Sequence, residues 1–177
     1  MSLTDLRNRL PDYAKDLKLN LDGVLSEASA SGLDAKQIRV IALASAIASR
    51  YLPLTQAIEA FAAEQLTPDE LSGAKAAAAI MGMNNIYYRA THLIANDEYS
   101  ALRAGLRMNV MANPGVDKIT FELASLAVSA INGCGMCLDS HERVIRQHGI
   151  GANAVQGSLK IAAVLHAVAV VLEQSAD

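Results

Sequence analysis

Tryptophan is absent from this chain of 177 residues, and phenylalanine occurs only twice beside five tyrosines. Few rings are therefore available to stack nucleobases. A β-sandwich, built from many short aromatic or β-branched strands, is also disfavoured. Cysteine occurs only twice, which excludes a multi-disulfide secreted scaffold. No sign of charge dominates: 15 basic and 18 acidic residues give a net charge of −3, with no basic run. That balance argues against nucleic acid or an anionic membrane surface as partner. No apolar stretch reaches the roughly 20 residues of a spanning helix. The longest, Ile161 to Leu172, is about 12 residues long, is interrupted by His166 and reads as a buried helix. The opening Met1-Ser2-Leu3-Thr4-Asp5-Leu6-Arg7 has no apolar leader core, so the expected compartment is the reducing cytoplasm. Gly/Ser linkers, charge blocks and repeats are missing too, and residues 1–177 read as one domain.

What is present is apolar and helical. Hydrophobic residues make up 52% and charged residues 19%, enough for a substantial core. No window keeps a two-residue alternation, so the fold class expected is all-α. Leu3, Leu6 and Leu10 recur at helical spacing until Pro11. Leu17, Leu21, Val24, Leu25 and Ala28 form a second stripe, expected to stop at Ser31-Gly32. Asp34 is placed to cap a helix bearing Ile38, Ile41, Ala42 and Ser45, and Pro53 breaks the chain near Tyr51. In Leu66-Thr67-Pro68-Asp69-Glu70-Leu71, Thr67 and Glu70 can satisfy each other's N–H groups, with Pro68 at the first helical position. Gly82 is expected to divide that helix from another through Ile86, Tyr87 and Leu93. Asn113-Pro114-Gly115 is a turn, Asp117 caps a helix carrying Glu122, and Asn132-Gly133 ends it. A further helix runs from Cys134 to His148-Gly149, and the last from about Ala152 to Glu173.

Both cysteines fall in Asn132-Gly133-Cys134-Gly135-Met136-Cys137-Leu138-Asp139-Ser140-His141, spaced Cys-x-x-Cys at a helix start. Unpaired N–H groups and the macrodipole favour a thiolate there, and the thiolate is the reactive form. Residues three apart on a helix are neighbours, so the sulfurs can form a short-loop disulfide after small adjustments. At about 100° per residue, Cys134, Cys137 and His141 share an arc of roughly 60°. An imidazole on that face can exchange the sulfur's proton near neutral pH.

Three readings fit this segment. One is a redox-active dithiol. A second is a metal site using Cys134, Cys137, His141 and one carboxylate, in a helical subunit without redox turnover. The third is a pair of inert, buried small side chains. Glu122 lies twelve residues before Cys134. It is either a surface residue on a polar stripe or a buried acid that orients His141 as the third member of a triad. Asp139 and Glu142 read as solvated first-turn charges and Met136 as a packing residue. His92, His148 and His166 read as surface or satisfied core residues.

The sequence resembles the alkylhydroperoxidase AhpD group of the carboxymuconolactone-decarboxylase-like superfamily. The resemblance rests on Met81-Gly82-Met83-Asn84-Asn85, on Leu106-Arg107-Met108-Asn109 with Asn113-Pro114-Gly115, and on Phe121-Glu122 through Ser129-Ala130-Ile131-Asn132-Gly133-Cys134, Cys137 and His141. It implies an all-helical subunit assembling as a homotrimer, with no tightly bound cofactor. It implies a lipoyl-dependent antioxidant peroxidase that also keeps the peroxiredoxin AhpC reduced. Electrons would come from the dihydrolipoyl group of a dihydrolipoamide acyltransferase, recharged by an NADH-dependent lipoamide dehydrogenase. Cys137 would attack the peroxide and become the sulfenic acid. Cys134 would give a proton to the leaving alkoxide and then resolve Cys137 into the Cys134–Cys137 disulfide. Glu122 and His141 would form the proton relay. A rival within the same group is a thiol–disulfide reductant of AhpC whose own peroxidase activity is incidental, and a decarboxylase is weaker because it needs no dithiol. Met136 stands where family members often carry histidine, so the relay rests on Glu122 and His141. Helix-terminus reasoning alone favours the thiolate at Cys134; the resemblance assigns attack to Cys137.

Overall fold

The computed structural model describes residues 2–28 and 32–175, and these contain nine α-helices and no strand. They are α1 (Leu3–Asn8), α2 (Asp16–Val24), α3 (Ala35–Ala48), α4 (Leu52–Ala63), α5 (Pro68–Leu93), α6 (Asp97–Ala101), α7 (Lys118–Ile131), α8 (Gly135–Gln147) and α9 (Ala152–Gln174). Single 3₁₀ turns at Asp12–Ala14 and Asn109–Ala112 complete the regular structure.

The centre follows from apolar residues that run right round two helices. Every residue of α3 from Ile38 to Ala46 is buried, as is every residue of α7 from Thr120 to Ser129. A helix apolar on all sides needs neighbours on all sides. Accordingly α3 packs against α4, α5, α7 and α9, while α7 packs against α3, α5, α8 and α9. Among the described residues α9 alone is long and apolar enough to cross a membrane, with a mean hydropathy of 1.8. Its Ile161, Leu165, Val168 and Leu172 are nevertheless buried in the common core, against α2, α3 and α7.

Capping chemistry sets the helix starts much as the sequence indicates. Asp34, Thr67 and Asp117 each accept a hydrogen bond from the backbone N–H three residues on. Two expectations fail. Gly82 does not divide α5: the buried residues Ala74, Ala77, Ala78, Met81, Asn84 and Asn85 form one stripe that passes straight by it. A mid-helix glycine costs only about 1 kcal/mol, which packing along that stripe outweighs. The second stripe also ends early, because the Leu25 and Ser26 N–H groups turn back to the Leu21 and Gly23 carbonyls. Of its expected stop, Ser31 lies outside the described residues, and Gly32 has a φ of +86°.

The start of α5 carries a pH-dependent contribution. A hydrogen bond from Lys36, 2.5 Å away, and then the Thr67 N–H hold the Glu70 carboxyl below its ordinary value of 4.5. A carboxyl depressed in the fold stabilises it above that ordinary value, and the gain disappears as pH falls through the lower folded value. Thr67→Ala should cost about 1 kcal/mol at pH 7. Glu70→Gln should lower the urea midpoint at pH 7, with its gap from wild type closing as pH falls below 4.5. A gap constant with pH would show that the charge contributes nothing.

Candidate active site

The turn from α7 into α8 creates the site. Asn132 ends α7 with its N–H on Ala130 and Val128 carbonyls, and Gly133 follows at φ +69°. That left-handed conformation suits glycine, which lacks the clashing Cβ. It reverses the chain so that Cys134 becomes the N-cap of α8, and its Sγ accepts the Cys137 N–H at 3.4 Å. The two cysteines are joined as a disulfide, with Cα atoms 5.3 Å apart. This is the short-loop pairing that the spacing made possible.

From there α8 repeats every four residues: Cys137, His141 and Ile145 form its buried stripe against α7. On α7, Glu122 is buried among apolar neighbours (9% exposed), so the polar-stripe alternative is set aside. Its Oε2 lies 2.6 Å from Nδ1 of His141, itself 8% exposed. A carboxylate accepts, so Nδ1 carries the hydrogen of this contact. The ring is thereby fixed with Nε2 directed 3.2 Å from Sδ of Met81. A thioether is only a weak acceptor, so this second contact holds Nε2 less firmly than Glu122 holds Nδ1.

A cavity of about 290 Å³ opens against this assembly. Cys137 and His141 form one wall, while Met81, Met108, Met111 and Met136 supply most of the rest with Asn84, Tyr88 and Ser140. Cys134 does not line it and is fully buried behind its partner. Nδ2 of Asn84 donates to Sδ of Met108 at 3.0 Å, pinning the irregular segment after α6 onto α5.

The four residues singled out in the sequence, Cys134, Cys137, His141 and Glu122, therefore come together. Other expectations change. Met136 is 41% exposed at the cavity rim and is not a core packing residue. Asp139 and Glu142 are exposed but lie beyond the first turn of α8, which begins at Gly135. His92, His148 and His166 are exposed, in keeping with their reading as surface residues; His92 and Asp139 border an adjoining cleft with Met136 and Arg143, and His166 a separate one with Arg50 and Arg89. Among the described residues no three His, Cys, Asp or Glu side chains gather as a metal-ligand set. Sequence reasoning assigned no chemistry to Met81, Asn84 or Tyr88. Their spacing on one face of α5, with a pair of asparagines interrupting an apolar stripe, is the signal that could have found them. Met108 and Met111 come from a segment with no periodicity to read.

Comparison with known proteins agrees with this geometry. Residues 97–176 match the model of the carboxymuconolactone decarboxylase family. Over 176 residues the chain is 54% identical to the alkyl hydroperoxide reductase AhpD of Streptomyces coelicolor, covering 99% of this chain and 97% of the relative. It is 53% identical over 176 residues to that of Gluconacetobacter diazotrophicus, and 51% identical to that of Streptomyces avermitilis. In those two the match covers 95% and 98% of the relative.

Proposed function

The chain belongs to the alkyl hydroperoxide reductase AhpD family, and from that premise we propose how its residues divide the work. It is an alkyl hydroperoxide reductase working through the Cys134–Cys137 pair. The observation that carries the division of roles is the cavity wall: Cys137 and His141 face it, whereas Cys134 lies behind.

In the reduced enzyme the Cys137 thiolate attacks the outer peroxide oxygen, and the O–O bond breaks. Cys134 gives its proton to the departing alkoxide, which leaves as alcohol, and Cys137 becomes the sulfenic acid. The Cys134 thiolate then attacks the Cys137 sulfur and displaces hydroxide, which leaves as water once protonated. The disulfide closes, and two thiols have supplied two electrons. His141 moves protons at this site. It sits one helical turn from Cys137, and Glu122 keeps its ring oriented.

Reopening the disulfide calls for an external dithiol, and a dihydrolipoyl group on an acyltransferase fits. Such a group reaches from a flexible arm, and the methionine-lined cavity is apolar enough for a dithiolane. The same exchange chemistry would keep the peroxiredoxin AhpC reduced. We place this single helical domain in the reducing cytoplasm, where a recycled dithiol is sustained. Homotrimer assembly would cover apolar side chains that a lone chain exposes, such as Leu52 and Ile86 at 65% and 54%.

The test is a thiol titration. One equivalent of hydroperoxide should remove both free thiols of the reduced chain, and dihydrolipoamide should restore both. Loss of no thiol would overturn the peroxidase chemistry. Loss of both without restoration would overturn the lipoyl donor. Adding AhpC should raise peroxide turnover supported by dihydrolipoamide; no change would remove AhpC as partner.

A further inference from the structure

The turn that carries Cys134 is held from outside by a polar network that the chemistry above does not use. Asn85 of α5 is fully buried, an expensive place for a carboxamide unless every group is paired. Here both ends are paired. Its Nδ2 donates to Oγ of Ser129 at 2.9 Å, and its Oδ1 accepts from Nδ2 of Asn132 at 3.0 Å. One turn along α5, the Arg89 guanidinium donates to the Asn132 carbonyl. Ser129 in turn receives the Cys134 N–H on its own carbonyl at 3.0 Å. Two residues of α5 therefore grip the last turn of α7 and its final cap, both on the α7 side of the reversal at Gly133, and the bond from the Cys134 N–H to the Ser129 carbonyl carries that hold across it.

A leucine in the place of Asn85 would carry no desolvation cost of its own, but it would leave Ser129 Oγ and Asn132 Nδ2 without this partner. The geometry of the network also answers a need of the redox cycle. When the disulfide opens, Cys134 loses the covalent link that fixes its distance from Cys137. Only the backbone of the turn then keeps it within reach. We infer that Asn85, seconded by Arg89, is a positioning residue that holds Cys134 in register with Cys137 while the pair is reduced. The clamp thereby favours disulfide closure and speeds the resolving step. This inference rests on the reading of Cys134 and Cys137 as a cycling dithiol.

The experiment measures the thiol–disulfide equilibrium of the pair against dithiothreitol in wild type, Asn85→Leu, Ser129→Ala and Arg89→Met. Helical circular dichroism is checked in each. Asn85→Leu should shift the equilibrium toward the dithiol by roughly tenfold, the scale of one buried hydrogen-bonded contact. Ser129→Ala and Arg89→Met should shift it in the same direction by less. Dimedone should trap more Cys137 sulfenic acid in all three, while the first attack on hydroperoxide stays within about twofold of wild type. If Asn85→Leu loses its helical signal, the two milder variants decide the matter. Equilibrium constants within about twofold of wild type in every folded variant would overturn the clamp. The equilibrium needs no peroxide, so it judges the clamp even if the reduced wild-type chain loses no thiol to hydroperoxide, an outcome that would sink the peroxidase assignment alone.

Discussion

Cys137→Ser should reduce hydroperoxide consumption to the uncatalysed background, a fall of about 10⁴-fold or more, the scale seen when a nucleophile is removed. The reason is chemical. A serine hydroxyl is scarcely ionised near neutrality and has no sulfenic acid to form, so neither the attack nor the resolving step has a substitute. The substitution is nearly isosteric and sits at the N-terminal turn of α8, so the fold should survive. It removes a disulfide of sequence separation 3, which the chain-entropy estimate values at about 2 kcal/mol. Stability should therefore be compared with wild type under reducing conditions, where that difference vanishes. Cys134→Ser gives the contrast: the first turnover should still consume one equivalent of peroxide, and the sulfenic acid should persist for dimedone to trap. Sustained turnover by Cys137→Ser, or the reverse pattern between the two variants, would exchange or erase the assigned roles.

Glu122→Gln carries the second large effect. The amide keeps the shape and can still accept from His141 Nδ1, but it no longer places a negative charge 2.6 Å from the ring. General acid–base assistance contributes about 10²–10⁴-fold, and a turnover loss near the lower end of that range is expected. Glu122→Ala should show the same loss together with destabilisation of about 1–3 kcal/mol, because His141 is left buried without its partner. Two measurements separate the parts: urea unfolding for stability, and the pH profile of Cys137 alkylation for proton handling. If Glu122→Gln alkylates and turns over as wild type does, Glu122 is a structural partner of the ring only. If both variants lose their helical signal, its role is in folding.

How far the sequence could be read depended on the distance over which each signal acts. Helix caps at Asp34, Thr67 and Asp117 were legible because the bonding group lies three residues from the one it satisfies. Cys134, Cys137 and His141 were legible for the same reason, since they share one face of α8. From its own neighbours Glu122 could be singled out but not assigned, because burial depends on helices packed around α7 from elsewhere in the chain; only the family resemblance gave it a role. Met81 marks the limit. Its place on one face of α5 can be read locally, but it touches His141 across 60 residues of sequence, and nothing on α5 announces which residue that face will meet. The undivided α5 shows the converse error: a local breaker at Gly82 was given more weight than the buried stripe running past it.

The four thioethers around the cavity have one further consequence. Methionine is unbranched, polarisable and free to turn about three bonds, so a wall built from it yields to the guest pressed against it. If hydroperoxides bind here as proposed, the expected result is shallow discrimination by tail shape, with straight, branched and cyclic hydroperoxides turned over at similar kcat/KM; a steep ranking among them would show that the wall does not yield.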